Sequence, residues 1–351
     1  MDPRIWSKLP RDVVEHILLL LPLKTLLNLR PTCKAFTSLL FSPSFISKHS
    51  SSSSPFSSFL LLSHPQFPHH FLLYDSNLSS WRNISLSLPF SSSFTLISSS
   101  GGLFCFFDPS SSSFLVCNLF VKSFKIIEFP TRSLSLSLVT FVTTPFGYNI
   151  VFLCSESASK RVFLYDSNAL SWQRFDGFDG VLSDSYHQKG TLFDGGLYFT
   201  TPEPFSLVRF DLGSGKWERL VGGLPEELIF VRLVSDGDGK LYLLGGVGNN
   251  GISRSIKLWE MGGERDWVEV QSLPEILCRK FVSVCYHNYE HVYCFWHQGL
   301  ICLCCYTWPE ILYYNVLRRT WHWLPKCPYL PLKCSCGFKW FSFVPKLYAS
   351  V

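Results

Sequence analysis

The chain has 351 residues, of which 47% are hydrophobic and 16% aromatic, while only 16% are charged. This length allows more than one domain, and the low charge content favours many short, largely buried strands over long solvated helices. The net charge is only +5 and no run of five Lys or Arg residues occurs, so nucleic-acid binding is not expected. No uninterrupted apolar stretch reaches about 20 residues, which argues against association with a membrane through a spanning helix.

Residues 1–48 have the apolar periodicity of short helices. Apolar residues recur at three- and four-residue steps after Pro10, which predicts a first helix that starts there and ends before Pro22. A second short helix is predicted over Leu23–Leu29 and a third after Pro31. Three short helices of this size cannot bury all of their apolar surface, so we expect part of it to face a partner.

Residues 49–58 are rich in serine and predict a flexible linker between two domains. The chain starts with MDPRIWSKLPRD, which lacks the pattern of a secretory leader, and it contains thirteen cysteines, an odd number. We therefore expect a cytoplasmic and/or nuclear protein whose thiols stay reduced and pack as small hydrophobic side chains.

The pattern changes in residues 59–351, where short apolar or alternating segments are separated by Gly, Ser, Pro and Asp, as in strands and turns. One segment recurs six times: a strand, an acidic or amide anchor, and an aromatic residue six or seven positions later. The anchors are Asp75, Asn118, Asp166, Asp211, Glu260 and Asn315. Successive anchors are 43, 48, 45, 49 and 55 residues apart, which is the length of a four-stranded propeller blade and close to that of a kelch repeat.

Each anchor is expected to close a turn by accepting hydrogen bonds from backbone N–H groups about two residues later. The aromatic ring that follows is expected to fill the space between neighbouring blades. Ordinary hairpins in a sandwich or barrel are the alternative to this interpretation. Six copies predict six blades, although strand-like residues at Cys294–Cys305 leave seven open.

The first blade has only three predicted strands after the linker, over Phe59–Leu62, Leu72–Tyr74 and Trp81–Ile84. An open ring would leave sheet edges exposed, so the missing strand has to come from elsewhere in the chain. The segment Phe338–Val344 alternates and is long enough, so it is predicted to pair into the first blade and close the ring.

The helical region also carries a specific set of residues in a fixed order: Leu9, Pro10, Ile17, Leu18, Leu21, Pro22, Leu26, Leu29, Cys33, Lys34 and Phe36. This combination resembles the F-box, and with the blades the whole chain resembles the plant F-box/kelch-repeat proteins, which are substrate receptors of SCF-type ubiquitin ligases. The resemblance implies that these residues form the core or the adaptor-binding face. It further implies docking to a Skp-family adaptor, and through it to a cullin ligase. Phe36, where many members have Trp, and Pro31 before the third helix depart from the pattern and bear on adaptor binding.

The two faces of the predicted propeller differ in their connections. With strands a to d counted from the centre, the a–b and c–d connections lie on one face and the b–c and d–a connections on the other. The c–d turns are alike, whereas the other set varies over Asp176–Gly190, Pro202–Ser206, Gly248–Arg254 and Tyr306–Pro309. Variable loops on a rigid scaffold commonly carry binding function, so we predict that the b–c/d–a face binds a target protein. The candidate anchors are Tyr186, Phe205, Arg254 and Trp308.

No catalytic residues, cofactor or metal site are predicted. The late cysteines include Cys302 and Cys304, which alternate as strand neighbours and are expected to pack in the core rather than bind zinc. Some kelch propellers carry a copper centre, but His287, His291 and His297 are better explained as alternate residues of strands. No set of nucleophile, base and orienting group can be assembled.

Two readings of the helices remain open at this stage. One is an adaptor-docking domain, and the other is a self-contained helical cap on a propeller scaffold, or on a small-ligand or carbohydrate-binding module, that is not coupled to a ligase. They differ in burial, because a docking domain leaves part of its apolar helix face exposed whereas a cap covers it.

Overall fold

A computed structural model gives the fold. It describes residues 8–21, 25–26, 29, 32–42, 44–46, 48, 58–67, 70–85, 94–119, 121–130, 135–156, 159–182, 189–220, 222–237, 239–263, 266–331, 334–346 and 348–351. Pro22, Pro31 and Tyr186 lie outside these residues.

The N-terminal region is helical, as the apolar periodicity predicts. Helix α1 spans Arg11–Leu19 and follows Pro10, whose φ of −56° suits the position before a first helical turn. Residues 25, 26 and 29 are helical at the place of the predicted second helix. Helix α2 spans Lys34–Leu40 and is preceded by Cys33 in an extended conformation.

The rest of the described chain is built from short strands. The first half contains β1 (Phe59–Ser63), β2 (His70–Asp75), β3 (Ser80–Ser85), β4 (Thr95–Ser100), β5 (Leu103–Asp108), β6 (Ser113–Asn118), β7 (Ser123–Glu128), β8 (Ser135–Thr143), β9 (Tyr148–Glu156), β10 (Ser159–Asp166) and β11 (Ser171–Asp176). The second half contains β12 (Thr191–Phe193), β13 (Gly196–Thr200), β14 (Leu207–Asp211), β15 (Trp217–Arg219), β16 (Leu228–Ser235), β17 (Leu241–Asn249), β18 (Ile252–Met261), β19 (Trp267–Ser272), helix α3 (Glu275–Val284), β20 (Val292–His297), β21 (Leu300–Cys305), β22 (Trp308–Asn315), β23 (Thr320–Trp323) and β24 (Lys339–Phe343).

These strands form six antiparallel sheets of four, each one blade of a propeller. Blade 1 has the order β24-β1-β2-β3, and blades 2 to 6 take the remaining strands in chain order, four at a time. Alternate residues of a strand face opposite neighbours: Leu60 packs in a cluster with blade 6, and Leu61 packs in one with blade 2. Six such apolar clusters join each blade to the next, including blade 6 to blade 1, so the ring is closed.

The last strand closes the ring, as predicted. β24 pairs with β1 from Phe59 opposite Phe343 to Ser63 opposite Lys339. The alternative of seven blades is wrong, because Cys294–Cys305 forms β20 and β21 of blade 6. The long spacing before the last anchor comes instead from α3, which lies between blades 5 and 6 and buries Cys278, Phe281 and Val282 at helical spacing.

Four of the six anchors close turns in the predicted way. The side-chain oxygen of Asp75 accepts hydrogen bonds from the backbone N–H of Asn77 and of Leu78, both at 3.1 Å. Equivalent bonds join Asp166 to Asn168 N, Asp211 to Ser214 N, and Asn315 to Arg318 N. Such bonds satisfy backbone donors that the turn would otherwise leave unpaired.

The two other anchors have different partners. Asn118 donates through Nδ2 to the carbonyls of Lys346 and Ala349, both at 3.1 Å, and so holds the C-terminal segment. Glu260 forms an ion pair at 2.8 Å with Lys240, which directly precedes the neighbouring strand β17.

The aromatic residues of the repeat occupy equivalent places, as predicted. Trp81, Trp172, Trp217 and Trp321 each lie opposite the aromatic residue just before the anchor, with ring centroids 5.0 to 5.2 Å apart. Each packs in the cluster between its own blade and the preceding one. In three copies the indole N–H also donates to a carbonyl of the preceding blade: Pro325, Glu128 and Asp176. Phe124 of blade 2 departs from this pattern, since 52% of its side chain is exposed.

Candidate adaptor- and target-binding surfaces

Helix α1 has a buried side that holds the helical region together. Leu18 is fully buried in a cluster with Leu26 and Leu29, so these three predicted residues are core residues. Leu9 and Phe36 are partly buried and pack against that cluster, as does Leu21. Of the remaining predicted residues, Pro10, Cys33 and Lys34 are exposed and Ile17 is half-buried.

The other side of α1 is apolar and exposed. Leu20 at the end of the helix is 73% exposed, Val13 is 39% exposed, and half-buried Ile17 lies between them. Steps of four and three residues place these side chains along one face, which we call the α1 stripe (Val13, Ile17 and Leu20). A self-contained cap would cover such a stripe, so the burial pattern favours a docking domain. Val13 and Leu20 were not among the predicted residues, although their helical spacing is visible in the sequence.

A buried carboxylate links α1 to the end of the helical region. Glu15 is only 7% exposed and forms an ion pair with Lys48 at 2.8 Å and a longer one with Arg11 at 3.7 Å. The pair with Lys48 spans 33 residues, so it fixes the last helical turn against the first helix.

The C-terminal segment connects the helical region to the propeller. Tyr348 donates a hydrogen bond from its hydroxyl to the carbonyl of Leu40. Its ring makes edge contacts with the rings of Phe41 and Phe45, with ring centroids 6.5 Å apart in both pairs. Burial raises the pKa of this phenol well above its usual value. The next residue, Ala349, is held by Asn118, and Ala349 and Val351 pack against the cluster between blades 2 and 3.

This contact places the helical region on the a–b/c–d face. The first residue of β1, Phe59, lies opposite the last residue of β24, Phe343, so the chain enters and leaves the propeller on that face. The outgoing segment then crosses the a–b turn of blade 2, where a side chain on Gly102 would lie 2.5 Å from the backbone nitrogen of Lys346. The b–c/d–a face is on the opposite side of the ring.

Three of the segments predicted to vary, and the described ends of Asp176–Gly190, lie on the b–c/d–a face, but two of the segments are tight hairpins and not long loops. In Gly248–Arg254, Asn249 pairs with Ile252 around Asn250-Gly251, whose φ angles of 51° and 74° suit a two-residue turn. In Tyr306–Pro309 only Tyr306 and Thr307 separate β21 from β22. The Asn-Gly pair is a hairpin signal that the sequence interpretation missed.

The predicted target-binding residues have different environments. Phe205 is half-buried against the cluster between blades 4 and 5, and Arg254 is exposed on β18. Trp308 begins β22 and packs partly against the cluster between blades 5 and 6. Its indole N–H is buried and has no hydrogen-bond partner within the described part of the chain. Phe205 and Trp308 therefore pack at two different blade junctions.

Helix α3 adds an apolar surface that the sequence interpretation missed. As a d–a connection it lies on the b–c/d–a face, where Ile276 is 83% exposed, Tyr286 just after the helix is 82% exposed, and Ile252 at the tip of the β17–β18 hairpin is 50% exposed. Helix and hairpin are in contact, because the thiol of Cys278 in α3 lies 3.9 Å from the carbonyl oxygen of Arg254. Beyond the helix, the hydroxyl of Tyr289 accepts a hydrogen bond from the backbone N–H of Ser253. We call this region the α3 surface (Ile252, Arg254, Ile276 and Tyr286).

The cysteines and histidines have structural partners. Cys302 and Cys305 have the spacing of a metal-binding pair but face opposite sides of β21, in two different clusters. His297 is fully buried and hydrogen-bonds Ser76 through Nε2 at 2.8 Å and Ser342 through Nδ1 at 2.9 Å. Among the described residues, three or more His, Cys, Asp or Glu side chains nowhere converge as in a metal site. A search of the same residues finds no helix with the length and apolarity needed to cross a membrane.

Comparison with known proteins identifies both parts of the chain. Residues 6–48 match the F-box domain model, so the chain is an F-box protein that carries a six-bladed β-propeller. An F-box/kelch-repeat protein of Arabidopsis thaliana is 52% identical over 364 residues, which cover 100% of this chain and 90% of that protein. The chain therefore belongs to the plant F-box/kelch-repeat proteins.

More distant relatives align with this chain along most of their length. The rice protein ABERRANT PANICLE ORGANIZATION 1 (Oryza sativa subsp. japonica) is 25% identical, covering 99% of this chain and 90% of its own. UNUSUAL FLORAL ORGANS of Arabidopsis thaliana is 23% identical, with coverage of 94% and 80%. An F-box joined to a propeller supports a substrate-receptor role, and proteins of this type are generally non-enzymatic adaptors.

Proposed function

We propose that this chain is the substrate-recognition subunit of an SCF-type ubiquitin ligase. The F-box helices bind a Skp-family adaptor, and through it a cullin, while the propeller holds the protein to be ubiquitinated. The observation that carries the proposal is the F-box domain joined to a closed propeller in one chain. Partner enzymes perform the ubiquitin transfer, and the chain itself has a binding role.

The α1 stripe is the proposed centre of the adaptor-binding face. Leu20 is the most exposed residue of the stripe, and fully burying a leucine contributes about 1.5–3 kcal/mol. Exposed Pro10, Cys33 and Lys34 complete the face at its rim. Leu18, Leu26 and Leu29 support it from the core and do not contact the adaptor directly.

The target is proposed to bind on the b–c/d–a face, at the α3 surface. The helical region reaches the a–b/c–d face through Tyr348, so an adaptor on α1 and a target on the other face can be held at the same time. Exposed aromatic and arginine side chains such as Tyr286 and Arg254 are typical of residues that dominate protein interfaces. We place this assembly in the cytoplasm and/or nucleus, where nine buried thiols would stay reduced.

Binding of the full-length chain to a purified Skp-family adaptor tests the proposal. Leu20→Lys removes an apolar contact and places a charge in the interface, while its positive charge suits a helix C-terminus. We expect affinity to fall by about tenfold to a hundredfold. Val13→Lys should weaken binding in the same direction.

Leu317→Lys is the matched control, because Leu317 is 93% exposed on a c–d turn of blade 6 and lies outside residues 6–48, which match the F-box. It should leave adaptor binding unchanged. An intact chain that binds no Skp-family adaptor, or a Leu20→Lys variant that binds as well as Leu317→Lys, would leave the alternative of a propeller scaffold or small-ligand module not coupled to a ligase.

A further inference from the structure

A cavity of about 840 Å³ runs along the axis of the propeller. The innermost strands of all six blades line it, namely β4, β8, β12, β16, β20 and β24. Nothing in the adaptor and target proposal uses this cavity.

Two lysines enter the cavity from the same end. Lys189 lies two residues before β12 and Lys339 is the first residue of β24, and both strands are innermost strands that start on the b–c/d–a face. Both lysines line the cavity, and the charge of Lys339 disfavours the protonated form of Lys189 and so lowers its pKa. The b–c/d–a end of the cavity therefore concentrates positive charge.

The positive charge is poorly compensated by the described residues. Lys189 donates one hydrogen bond to the carbonyl of Ile97 and lies 5.1 Å from the ring centroid of Phe341. Lys339 has no hydrogen-bond or ion-pair partner in the described part of the chain. Asp236 is the carboxylate among the cavity-lining residues, but it belongs to the a–b end, where its Oδ1 accepts the backbone N–H groups of Gly239 and Lys240.

Burial makes the charged forms of both lysines unfavourable when no anion is bound. Burial lowers the pKa of Lys189 to about 7, and the charge of Lys339 contributes to this lowering. Burial also lowers the pKa of Lys339. An anion between the two side chains would supply the missing hydrogen-bond acceptors and favour the protonated lysines. A compact oxyanion suits the site, because one phosphate group offers enough acceptor atoms for both ammonium groups.

We propose that the b–c/d–a end of the cavity is a binding site for a phosphate group, held between Lys189 and Lys339. The same chemistry is offered by free phosphate and by a phosphorylated side chain of a bound protein. The site is distinct from the adaptor-binding face, so adaptor binding and anion binding can fail independently.

Calorimetric titration of the full-length chain with inorganic phosphate at low chloride tests the site. We expect one phosphate per chain, with affinity lowered about tenfold or more by Lys189→Met or Lys339→Met, since each removes a charge-assisted hydrogen bond. Lys122→Met removes the same charge from an exposed turn on the opposite face and should bind phosphate like the wild type. Absence of binding to the wild type, or equal loss in all three variants, would overturn the proposal.

A short phosphoserine peptide distinguishes the two sources of the anion. Binding that depends on both cavity lysines indicates that the mouth admits a phosphorylated side chain, and binding of inorganic phosphate alone indicates a small-molecule site. Either result supports the phosphate site.

A measurement on the unmodified chain does not depend on the folding of any variant. The acetylation rates of Lys189 and Lys339 by acetic anhydride, followed by mass spectrometry across pH, report their pKa values. Phosphate should raise the pKa of Lys189 and slow acetylation of both lysines while leaving Lys122 unchanged. Identical profiles with and without phosphate would contradict the site.

Discussion

The buried histidine at the closing junction of the ring makes stability depend on pH. His297 ends β20 of blade 6 and hydrogen-bonds Ser76 and Ser342, both of blade 1. Burial lowers the pKa of His297 from 6.5 to about 4. The unfolded chain therefore binds a proton at this residue more readily than the folded chain, and stability that is fully present above pH 6.5 is lost as the pH falls towards 4.

The size of this effect follows from the difference in pKa. At 1.36 kcal/mol per pH unit, the full loss is about 3 kcal/mol, and about 2 kcal/mol of it is reached by pH 5. Urea unfolding of the full-length chain at pH 7 and pH 5 would measure it. The variant His297→Asn lacks the ionisable group, so its stability should fall by about 2 kcal/mol less than that of the wild type over this range.

His322→Asn is the control, because His322 is exposed on β23. It should lose as much stability between pH 7 and pH 5 as the wild type does. The reasoning is refuted if His297→Asn loses as much stability as the wild type, since acid sensitivity would then arise elsewhere in the chain.

Two further predictions concern the contacts that hold the parts of the chain together. Trp340→Ala removes a side chain that is 3% exposed and lies between the first and last blades, so we expect a loss of about 3–5 kcal/mol in the free energy of unfolding. Phe124→Ala is the control, because its ring is half-exposed and its loss should cost less than about 1 kcal/mol. Equal losses of unfolding free energy in the two variants would show that Trp340 at the closing junction contributes no more to stability than the half-exposed Phe124. Tyr348→Ala removes the contact with Leu40 and the nearby rings, so amide hydrogen exchange in α2 should accelerate while exchange in the blades stays the same. Unchanged exchange in α2 would mean that Tyr348 does not stabilise the helical region.

The propeller could be predicted because the residues that each blade requires recur along the sequence. Each blade needs a turn between its two outer strands and a large ring at the junction with its neighbour, so an anchor and an aromatic residue return at a nearly constant interval. Asp75 with Trp81 and Asp166 with Trp172 show this most clearly. Closure by β24 followed from counting strands, since the first blade was one strand short.

Features that depend on insertions could not be assigned so easily. Helix α3 occupies a place where the other blades have an ordinary connection, and its apolar residues, such as Phe281, resemble those of a buried strand when they are read without their spacing. The Asn250-Gly251 pair is typical of a two-residue hairpin turn. The prediction of a variable loop over Gly248–Arg254 did not take this pair into account.

Contacts between distant segments could not be predicted from the sequence at all. Tyr348 reaches Leu40 across 308 residues, and this contact decides on which face the helical region lies. Lys189 and Lys339 line the same cavity because the ring places β12 and β24 around one axis. This depends on closure of the ring, which no local pattern near either lysine reveals.

Reconstituted ubiquitin transfer tests the substrate-receptor role most directly. The full-length chain would be combined with a Skp-family adaptor, a cullin ligase core and proteins captured through the propeller, and the Leu20→Lys variant would be compared with Leu317→Lys. We predict that the wild type and Leu317→Lys direct ubiquitin onto a captured protein, while Leu20→Lys captures the same protein without its modification. Capture without ubiquitination by the wild type, or equal ubiquitination with all three chains, would contradict the account.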